Sequence, residues 1–350
     1  MKTTKDILSS TLQLAPGVHV YLRNKDQIQV GLDPQNSLCL PAALHGLLKK
    51  CDGYTSVAKL IDLFNVEQDS ILQILNLLVN RKLLICVNHG TTQLTSNQQS
   101  HHLDASRSVN SIAHLVNQRS KIRLVIVGGG RLGSTLALLL GNSGFSNLRV
   151  LDSTKVTLND LTPWGFSRLD VNLRRDFVIQ TMLERVHRDQ LKSMRTKETR
   201  SKPDLFVFAP DPVSDLPYLD PKLADVAVES DTPFIALATS PASALITSVI
   251  NPGSAGCIRC YHLHQSDRDD AWPRLVTQLI GKQVPDQTPT SLILRTALHG
   301  YEQISRWLEN ESTQDNHWQN LTNSGEISNF DVPAHADCGC TWLAKSNPAS

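Results

Sequence analysis

"KIRLVIVGGGRLGSTLALLLGNSGFSNLRVLD", residues 121–152, decides the fold class of most of the chain. The apolar run before the glycines predicts a buried strand, the stretch after them predicts a helix, and "NLRVLD" predicts a second strand. A strand, a glycine turn, a helix and a further strand form a βαβ unit, which places parallel strands in one sheet. The sequence therefore predicts an α/β domain of the Rossmann type that begins near residue 121.

The glycine turn suggests a nucleotide site. Gly128, Gly130 and Gly133 fit the pattern G-x-G-x-x-G, and Asp152 ends the second strand. Such glycines let a phosphate approach the helix N-terminus, and the acidic residue accepts a hydrogen bond from a ribose hydroxyl. The third glycine also permits close packing of helix and strand. The pattern is therefore a stronger indication of fold than of nucleotide binding.

The rest of this domain continues the alternation of strands and helices. "PDLFVFAPD" (203–211) predicts a buried strand that ends in Asp211, and two further strands are predicted within 232–239 and 243–253. "LILRTALHGYEQISRWLEN" (292–310) predicts a long amphipathic helix. We expect a mostly parallel sheet over residues 121–350.

Residues 1–89 predict a separate winged-helix-like α+β module. Three short strands, "VHVYLR", "QIQVGL" and "NSLCLP", precede three helical patterns and a closing strand, "LLICVN". Residues 90–120 are polar and rich in Gln, Ser and Asn, which is typical of a linker. His101 and His102 lie in that linker, where we expect solvated side chains.

Bulk composition excludes several classes of protein. The chain has 350 residues and a formal net charge of +1. It therefore lacks the strong positive electrostatic field that would attract nucleic acid or an anionic membrane. No apolar run is long enough to span a bilayer. The seven cysteines are odd in number, and the first residues lack the apolar core of a signal peptide. These features predict a cytoplasmic protein with reduced thiols.

Two tight cysteine pairs stand apart from the other cysteines: Cys257 with Cys260, and Cys338 with Cys340. Four thiolates satisfy tetrahedral zinc, and a closed shell of four cysteines is structural rather than catalytic. The alternatives are unconnected reduced thiols or a redox pair. Three histidines lie nearby, and we expect them to support the site or to face solvent: His262, His264 and His335.

The βαβ unit, Asp211 and the cysteine pairs resemble the ThiF/MoeB-like, ubiquitin-activating-type enzymes, which bind ATP and adenylate a carboxylate. "GCIRCYHLHQSDRDDAWP" (256–273) and the later "CGC" (338–340) resemble one branch more specifically. That branch, the ocin-ThiF group, contains the partner proteins of YcaO cyclodehydratases in thiazole/oxazole-modified peptide biosynthesis. The charge run "HQSDRDDAW" (264–272) suits either a solvated face or a loop that docks a partner.

The first module resembles the PqqD-like peptide-recognition element. In that family a leader peptide adds as a strand to the third strand and lies against the third helix. The resemblance implies a groove lined by five residues, of which Leu75 fits the core equally well: Leu38, Leu40, Ile71, Leu75 and Asn76.

The chain departs from the adenylating members where phosphates would be handled. Arg131 replaces their second glycine, and Pro212 follows Asp211 where they carry asparagine. Their lysine near the next helix is not evident, although Arg174 and Arg175 stand close by. We therefore expect a vestigial nucleotide site and no catalytic activity by this chain alone.

The expected function is that of a scaffold with a structural zinc ion. It would bind the leader of a ribosomal precursor peptide and present it to a YcaO-type cyclodehydratase that forms azolines, in biosynthesis of a bacteriocin- or thiopeptide-like product. A homodimer is a possible assembly. The alternatives are an active adenylating enzyme of the ThiF/MoeB class and an NAD(P)-dependent oxidoreductase. The latter explains neither the cysteine pairs nor the first module.

Overall fold

The computed structural model describes residues 10–15, 17–64, 67–87, 115, 117–186, 202–253, 256–282, 284–309 and 317–340. It divides the chain into two compact units, Met1–Asn117 and Gln118–Ser350. Most of the predicted linker, including His101 and His102, lies outside the described residues.

The first unit contains two antiparallel sheets of three strands each. The sheet orders are β5-β1-β6 and β2-β3-β4. The strands are β1 (Thr11–Leu14), β2 (Val20–Leu22), β3 (Gln27–Val30), β4 (Leu38–Pro41), β5 (Asp52–Ser56) and β6 (Leu84–Val87). The sequence predicted β2, β3, β4 and β6. It missed β1 and β5, because "DGYTS" in β5 has the composition of a turn with a helix cap.

Among the described residues of this unit, three α-helices cover the sheets: α1 (His45–Lys49), α2 (Val57–Phe64) and α3 (Gln68–Asn80). On α3, helical spacing places Ile71, Leu72, Leu75 and Leu78 on the buried face. They join Leu12, Ile28 and Leu48 in one apolar core. The unit thus has its own core, as the module prediction requires.

The second unit is built on a mixed sheet of seven strands, in the order β13-β12-β11-β10-β9-β7-β8. The strands are β7 (Leu124–Val127), β8 (Leu148–Leu151), β9 (Leu205–Phe208), β10 (Phe234–Thr239), β11 (Ser243–Ile246), β12 (His317–Thr322) and β13 (Ile327–Asp331). Only β8, β7, β9 and β10 pair in parallel, and the others are antiparallel. The prediction of a mostly parallel sheet is therefore correct for three of the six neighbouring strand pairs. The polar sequences of β12 and β13 had given no strand prediction.

Six helices accompany this sheet in the described residues: α4 (Arg131–Asn142), α5 (Arg175–Val186), α6 (Lys222–Glu229), α7 (Ile258–Arg268), α8 (Trp272–Thr277) and α9 (Thr290–Leu308). Strands β7, β9 and β10 are apolar because both of their faces are covered, and β10 is buried along its whole length. The edge strand β8 alternates buried and exposed residues instead. None of the described helices combines the length and the apolar character that crossing a bilayer requires. The turns after β7, β8 and β9 meet at one edge of the sheet.

Candidate functional site

The glycine turn after β7 is shaped by close packing. Gly128 has φ +103°, and a Cβ atom there would lie 2.2 Å from the carbonyl oxygen of Ala209. A Cβ on Gly133 would lie 2.0 Å from the carbonyl oxygen of Gly128, and one on Gly130 would lie 1.8 Å from Oδ1 of Asp211. The three glycines therefore let the turn, helix α4 and the end of β9 approach one another. This packing alone accounts for the residues of the fingerprint.

Asp152 follows the end of β8, as the sequence predicted, and both of its carboxylate oxygens accept hydrogen bonds. Oδ2 accepts from the backbone N–H of Gly129 at 2.7 Å, and Oδ1 accepts from the backbone N–H and the hydroxyl of Thr154 at 2.9 and 2.6 Å. Burial opposes ionisation, but the hydrogen bonds from Thr154 and Gly129 outweigh it and lower the pKa of Asp152. A ribose hydroxyl would have to compete with these donors.

Arg175, at the start of α5, connects the carboxylates of this edge. Its Nη1 donates to Asp152 at 3.2 Å and to Asp211 at 2.6 Å, and its Nη2 donates to Asp160 at 2.5 Å. The guanidinium is almost fully buried. Burial raises the pKa of Asp211, and the charge of Arg175 opposes that rise. One cation thus joins three acidic residues from separate segments.

Asp160, which Arg175 also contacts, is not among the site residues that the sequence predicted. Its Oδ2 also accepts from the backbone N–H and the hydroxyl of Thr157, which forms a capping box at a short 3₁₀ helix, Leu158–Asp160. The pattern T-x-x-D in "TLND" is the signal that would have indicated it.

Arg131 fills the position of the expected second glycine and fastens a neighbouring segment. Its guanidinium donates to the carbonyl oxygen of Thr288 at 2.8 Å and to the hydroxyl of Thr290 at 3.3 Å, and it lies 3.5 Å from the carboxylate of Asp286. The side chain therefore holds the residues before α9 against the start of α4. The guanidinium of Arg131 therefore makes its hydrogen bonds within the protein.

The four predicted cysteines meet at the start of α7. Sγ of Cys257 lies 3.8 Å from Sγ of Cys260 and 3.5 Å from that of Cys338, and the sulfurs of Cys260 and Cys340 are 3.4 Å apart. None forms a disulfide. A tetrahedron with Zn–S bonds of about 2.3 Å has S···S edges of about 3.8 Å. The four sulfurs therefore fit a tetrahedral metal ion.

The surroundings of the sulfurs also suit a metal. Cys257, Cys260 and Cys340 are buried, and Cys260 also accepts from the backbone N–H of His335 at 3.3 Å. A hydrogen bond from the Cys257 thiol lowers the pKa of Cys260 to about 4, and the same bond raises the pKa of Cys257. One thiolate is thus favoured without a metal, and a metal ion would draw the remaining protons off.

The neighbouring histidines act as structural links. The Nε2–H of His262 donates to the carbonyl oxygen of Leu219 at 2.8 Å, and its Nδ1 accepts from Trp272. Nδ1 of His335 accepts from the backbone N–H of Asp337, so its Nε2 carries the proton and donates to Asp267 at 3.0 Å. His264 and His335 lie near Asp267. Because Nε2 of His335 is protonated, this trio is poorly suited to bind a second metal.

The predicted peptide groove differs in part from the structure of the first unit. Leu40, Ile71 and Leu75 are buried, with 8%, 2% and 0% of their surface exposed. They belong to the core, because a unit of this size needs most of its large apolar side chains inside. Leu38 and Asn76 are half-buried. Of the five predicted lining residues, these two retain appreciable surface for a ligand.

Strand β4 nevertheless lies at a sheet edge beside α3. Within the described residues, β4 pairs with β3 alone. Arg81, which follows α3, donates to the carbonyl oxygen of Ser37 at 3.2 Å, so the end of the helix lies next to the start of the strand. Partly exposed Leu77 and half-buried Ile74 lie on α3. A peptide that adds to β4 would therefore meet this helix.

The second unit also carries an apolar groove of about 790 Å³. Helices α4, α5 and α9 and residues 163–173 line it. Leu169 is 92% exposed, and Leu173, Phe177 and Leu294 also present substantial surface. Clusters of exposed apolar side chains typically mark contact surfaces.

The comparisons with known proteins agree with this geometry. Escherichia coli MccB, solved with MccA, superposes with a TM-score of 0.60 at 16% identity, covering 94% of this chain and 99% of MccB. MccB solved with ATP gives 0.59 at 15% identity, with the same coverage of both chains. The heterocyclase TruD gives 0.56 at 15% identity, covering 95% of this chain and 43% of TruD. These likenesses show a shared fold.

No curated protein sequence matches the chain significantly. The ThiF family model matches residues 112–341, which is more than half of the chain. Together with the glycine turn, the mixed sheet and the cysteine cluster, this match shows that the chain belongs to the ThiF family.

Proposed function

We propose that this chain is a peptide-binding scaffold of ribosomal natural-product biosynthesis. It would bind the leader of a precursor peptide through the first unit and present the peptide to a YcaO-type cyclodehydratase for azoline formation. The observation that carries the proposal is the edge of β4 beside α3, because a strand edge next to a helix can take an extended peptide through main-chain hydrogen bonds. The resemblance of this unit to PqqD-like elements supports the same role.

The fold relatives support the same class of pathway. A solved MccB complex is described as a microcin C7 biosynthetic enzyme with N-formylated MccA, and TruD is described as a heterocyclase. We therefore place the present chain in peptide modification, with a precursor peptide and a cyclodehydratase as its partners.

The second unit would act without adenylating a substrate. Arg175 is bound to Asp152, Asp160 and Asp211, and the side chain of Asp211 occupies the space beside Gly130. A nucleotide that bound beside the glycine turn would have to displace these internal contacts. The cysteine cluster, Cys257, Cys260, Cys338 and Cys340, would hold a structural zinc ion that stabilises this unit.

Reconstitution tests the scaffold function. The gene neighbourhood is first searched for a YcaO homologue and a short Cys/Ser/Thr-rich peptide, and the full chain is then combined with ATP and with these two candidates. We expect mass spectrometry to find loss of one water per ring formed, at a rate that falls sharply when this chain is omitted. An unchanged rate without the chain would refute the scaffold function.

An active adenylating enzyme is the second candidate. The observation in its favour is that the glycine turn, Asp152 and Asp211 do converge at one edge of the sheet, in a fold shared with an MccB solved with ATP. ATP–pyrophosphate exchange with candidate peptides separates the two candidates. If the wild type catalyses ATP–pyrophosphate exchange and Asp211→Ala does not, the chain is an adenylating enzyme and its nucleotide site is not vestigial.

A further inference from the structure

The hydrogen bonds of β4 define which of its groups are available to a guest strand. Its register pairs Leu38 with Val30 and Leu40 with Ile28, and the backbone N–H of Ala42 donates to the carbonyl oxygen of Asp26. In an antiparallel ladder alternate residues point their N–H and C=O groups toward the partner strand. Cys39 and Pro41 therefore point theirs away from β3. Pro41 has no N–H, so among the residues of β4 that point away from β3, Cys39 alone offers both a backbone donor and a backbone acceptor.

The side chains of β4 alternate between two faces. Leu38 and Leu40 pack on the core of the unit, so Cys39 projects from the opposite face of the sheet. Arg23 lies on that face, with its Nη1 at 2.9 Å from Sγ of Cys39 and 3.0 Å from Oε1 of Gln29. A guest residue opposite Cys39 would place its side chain on this same face, beside the guanidinium.

The charge of Arg23 has no acidic partner in the part of the chain that the structure describes. Among the residues that the structure describes, no carboxylate lies within 4.0 Å of it in an ion pair. The acidic side chain of Asp33, in the same unit, instead bonds to Gln35 and Asn36. Within the described residues, a cation without a counter-charge thus lies next to the edge of β4.

We propose that the guest strand carries an acidic residue opposite Cys39, flanked on each side by an apolar residue. The acidic side chain would pair with Arg23 on the outer face, and the two apolar side chains would fall on the α3 face near Leu38 and Ile74. This inference rests on the proposed function, because it names the chemistry of the peptide that the edge of β4 receives. Arg23 is then a specificity-determining residue for an acidic leader segment.

A displayed library of twelve-residue peptides tests this pattern, with the full chain as bait. Three consecutive central positions are randomised, and binders are sequenced. For a selected binder, synthetic versions with Glu, Gln or Lys at the middle position are titrated against the wild type and against the Arg23→Gln and Arg23→Glu variants. The Lys59→Glu variant makes the same charge change on α2, outside the β2–β4 sheet, and serves as the matched control.

We expect the wild type to prefer Glu over Gln by about two- to fivefold, the range of one partly exposed ion pair. Arg23→Gln should remove this preference while binding persists, Arg23→Glu should reverse it toward Lys, and Lys59→Glu should leave it intact. A preference for Glu that survives Arg23→Glu would overturn the proposal.

The Cys39→Pro variant separates this proposal from the scaffold function. It removes the outward N–H of β4 without removing a bond to β3, and proline is tolerated at sheet edges. In one outcome, Cys39→Pro abolishes peptide binding at an unchanged melting temperature while Arg23→Glu has no effect. The edge of β4 would then remain the binding site, but the proposed acidic residue of the guest strand would be refuted. Binding that is unaffected by both variants would refute both proposals.

Discussion

Nη1 of Arg175 donates to Oδ2 of Asp211 across 2.6 Å, so a cation from the first residue of α5 neutralises the carboxylate that follows β9. The same guanidinium holds Asp152 and Asp160. The edge of the sheet that holds the glycine turn therefore carries its own counter-ion.

Removal of Arg175 should be costly. Arg175→Met leaves three carboxylates without their cation, two of them almost fully buried, and breaking a buried ion pair in this way costs about 3–5 kcal/mol of unfolding free energy. Chemical denaturation measures the loss. Arg174→Met, which removes the exposed neighbour that pairs with Asp176, should change stability little. Equal effects of the two variants would contradict the network.

The stability contributed by Asp152 should depend on pH. Its folded-state pKa lies below the ordinary aspartate value of about 3.9, so its ionised form stabilises the fold above that value and the contribution is lost as pH falls through the folded pKa. The wild type should therefore exceed Asp152→Asn in unfolding free energy near neutral pH, and the difference should shrink below about pH 4. Exposed Asp270→Asn is the control. A difference that stayed constant into acid would show that ionisation of Asp152 contributes nothing.

The cysteine cluster predicts one bound zinc per chain. Cys260→Ser should lose the metal and destabilise the second unit by several kcal/mol, because metal binding is coupled to folding. Metal analysis by mass spectrometry and thermal unfolding measure the two effects. Cys39→Ser, which changes an exposed cysteine outside the cluster, should retain both metal and stability. A stable Cys260→Ser protein with full metal content would exclude this set of ligands.

The glycine turn predicts a contrast between two alanine variants of α4. Gly133→Ala drives a methyl group against the backbone oxygen of Gly128, which cannot move aside as a side chain can, and should cost about 3 kcal/mol. In Gly141→Ala the methyl group meets the end of the Leu183 side chain, which can move, and the gain in helix propensity offsets the strain to within about 1 kcal/mol. Denaturation of the two variants without any nucleotide tests whether the fingerprint serves packing.

The sequence predicted the parts of the fold that depend on local pattern. The βαβ unit from residue 121, Asp152 directly after β8, and the meeting of four cysteines separated by about eighty residues all follow from spacing and residue type. Asp211 lies three residues beyond β9, which ends at Phe208, earlier than predicted. Strands β5 and β12 could not be predicted, because their polar residues become strands only through pairing with neighbours. The burial of Ile71 and Leu75 likewise depends on how the first unit closes.

The position of the cysteine pairs along the chain has a consequence for how the second unit unfolds. One pair begins α7 and the other follows β13, so the segment between them contains α9, β12 and β13. A metal coordinated by both pairs closes that segment into a loop, which reduces the conformational freedom of the unfolded chain. Chelation would therefore loosen β12 and β13, which lie within that segment, first. Hydrogen exchange would then show two cooperative blocks, with β7, β8 and β9 still protected after β12 and β13 have opened.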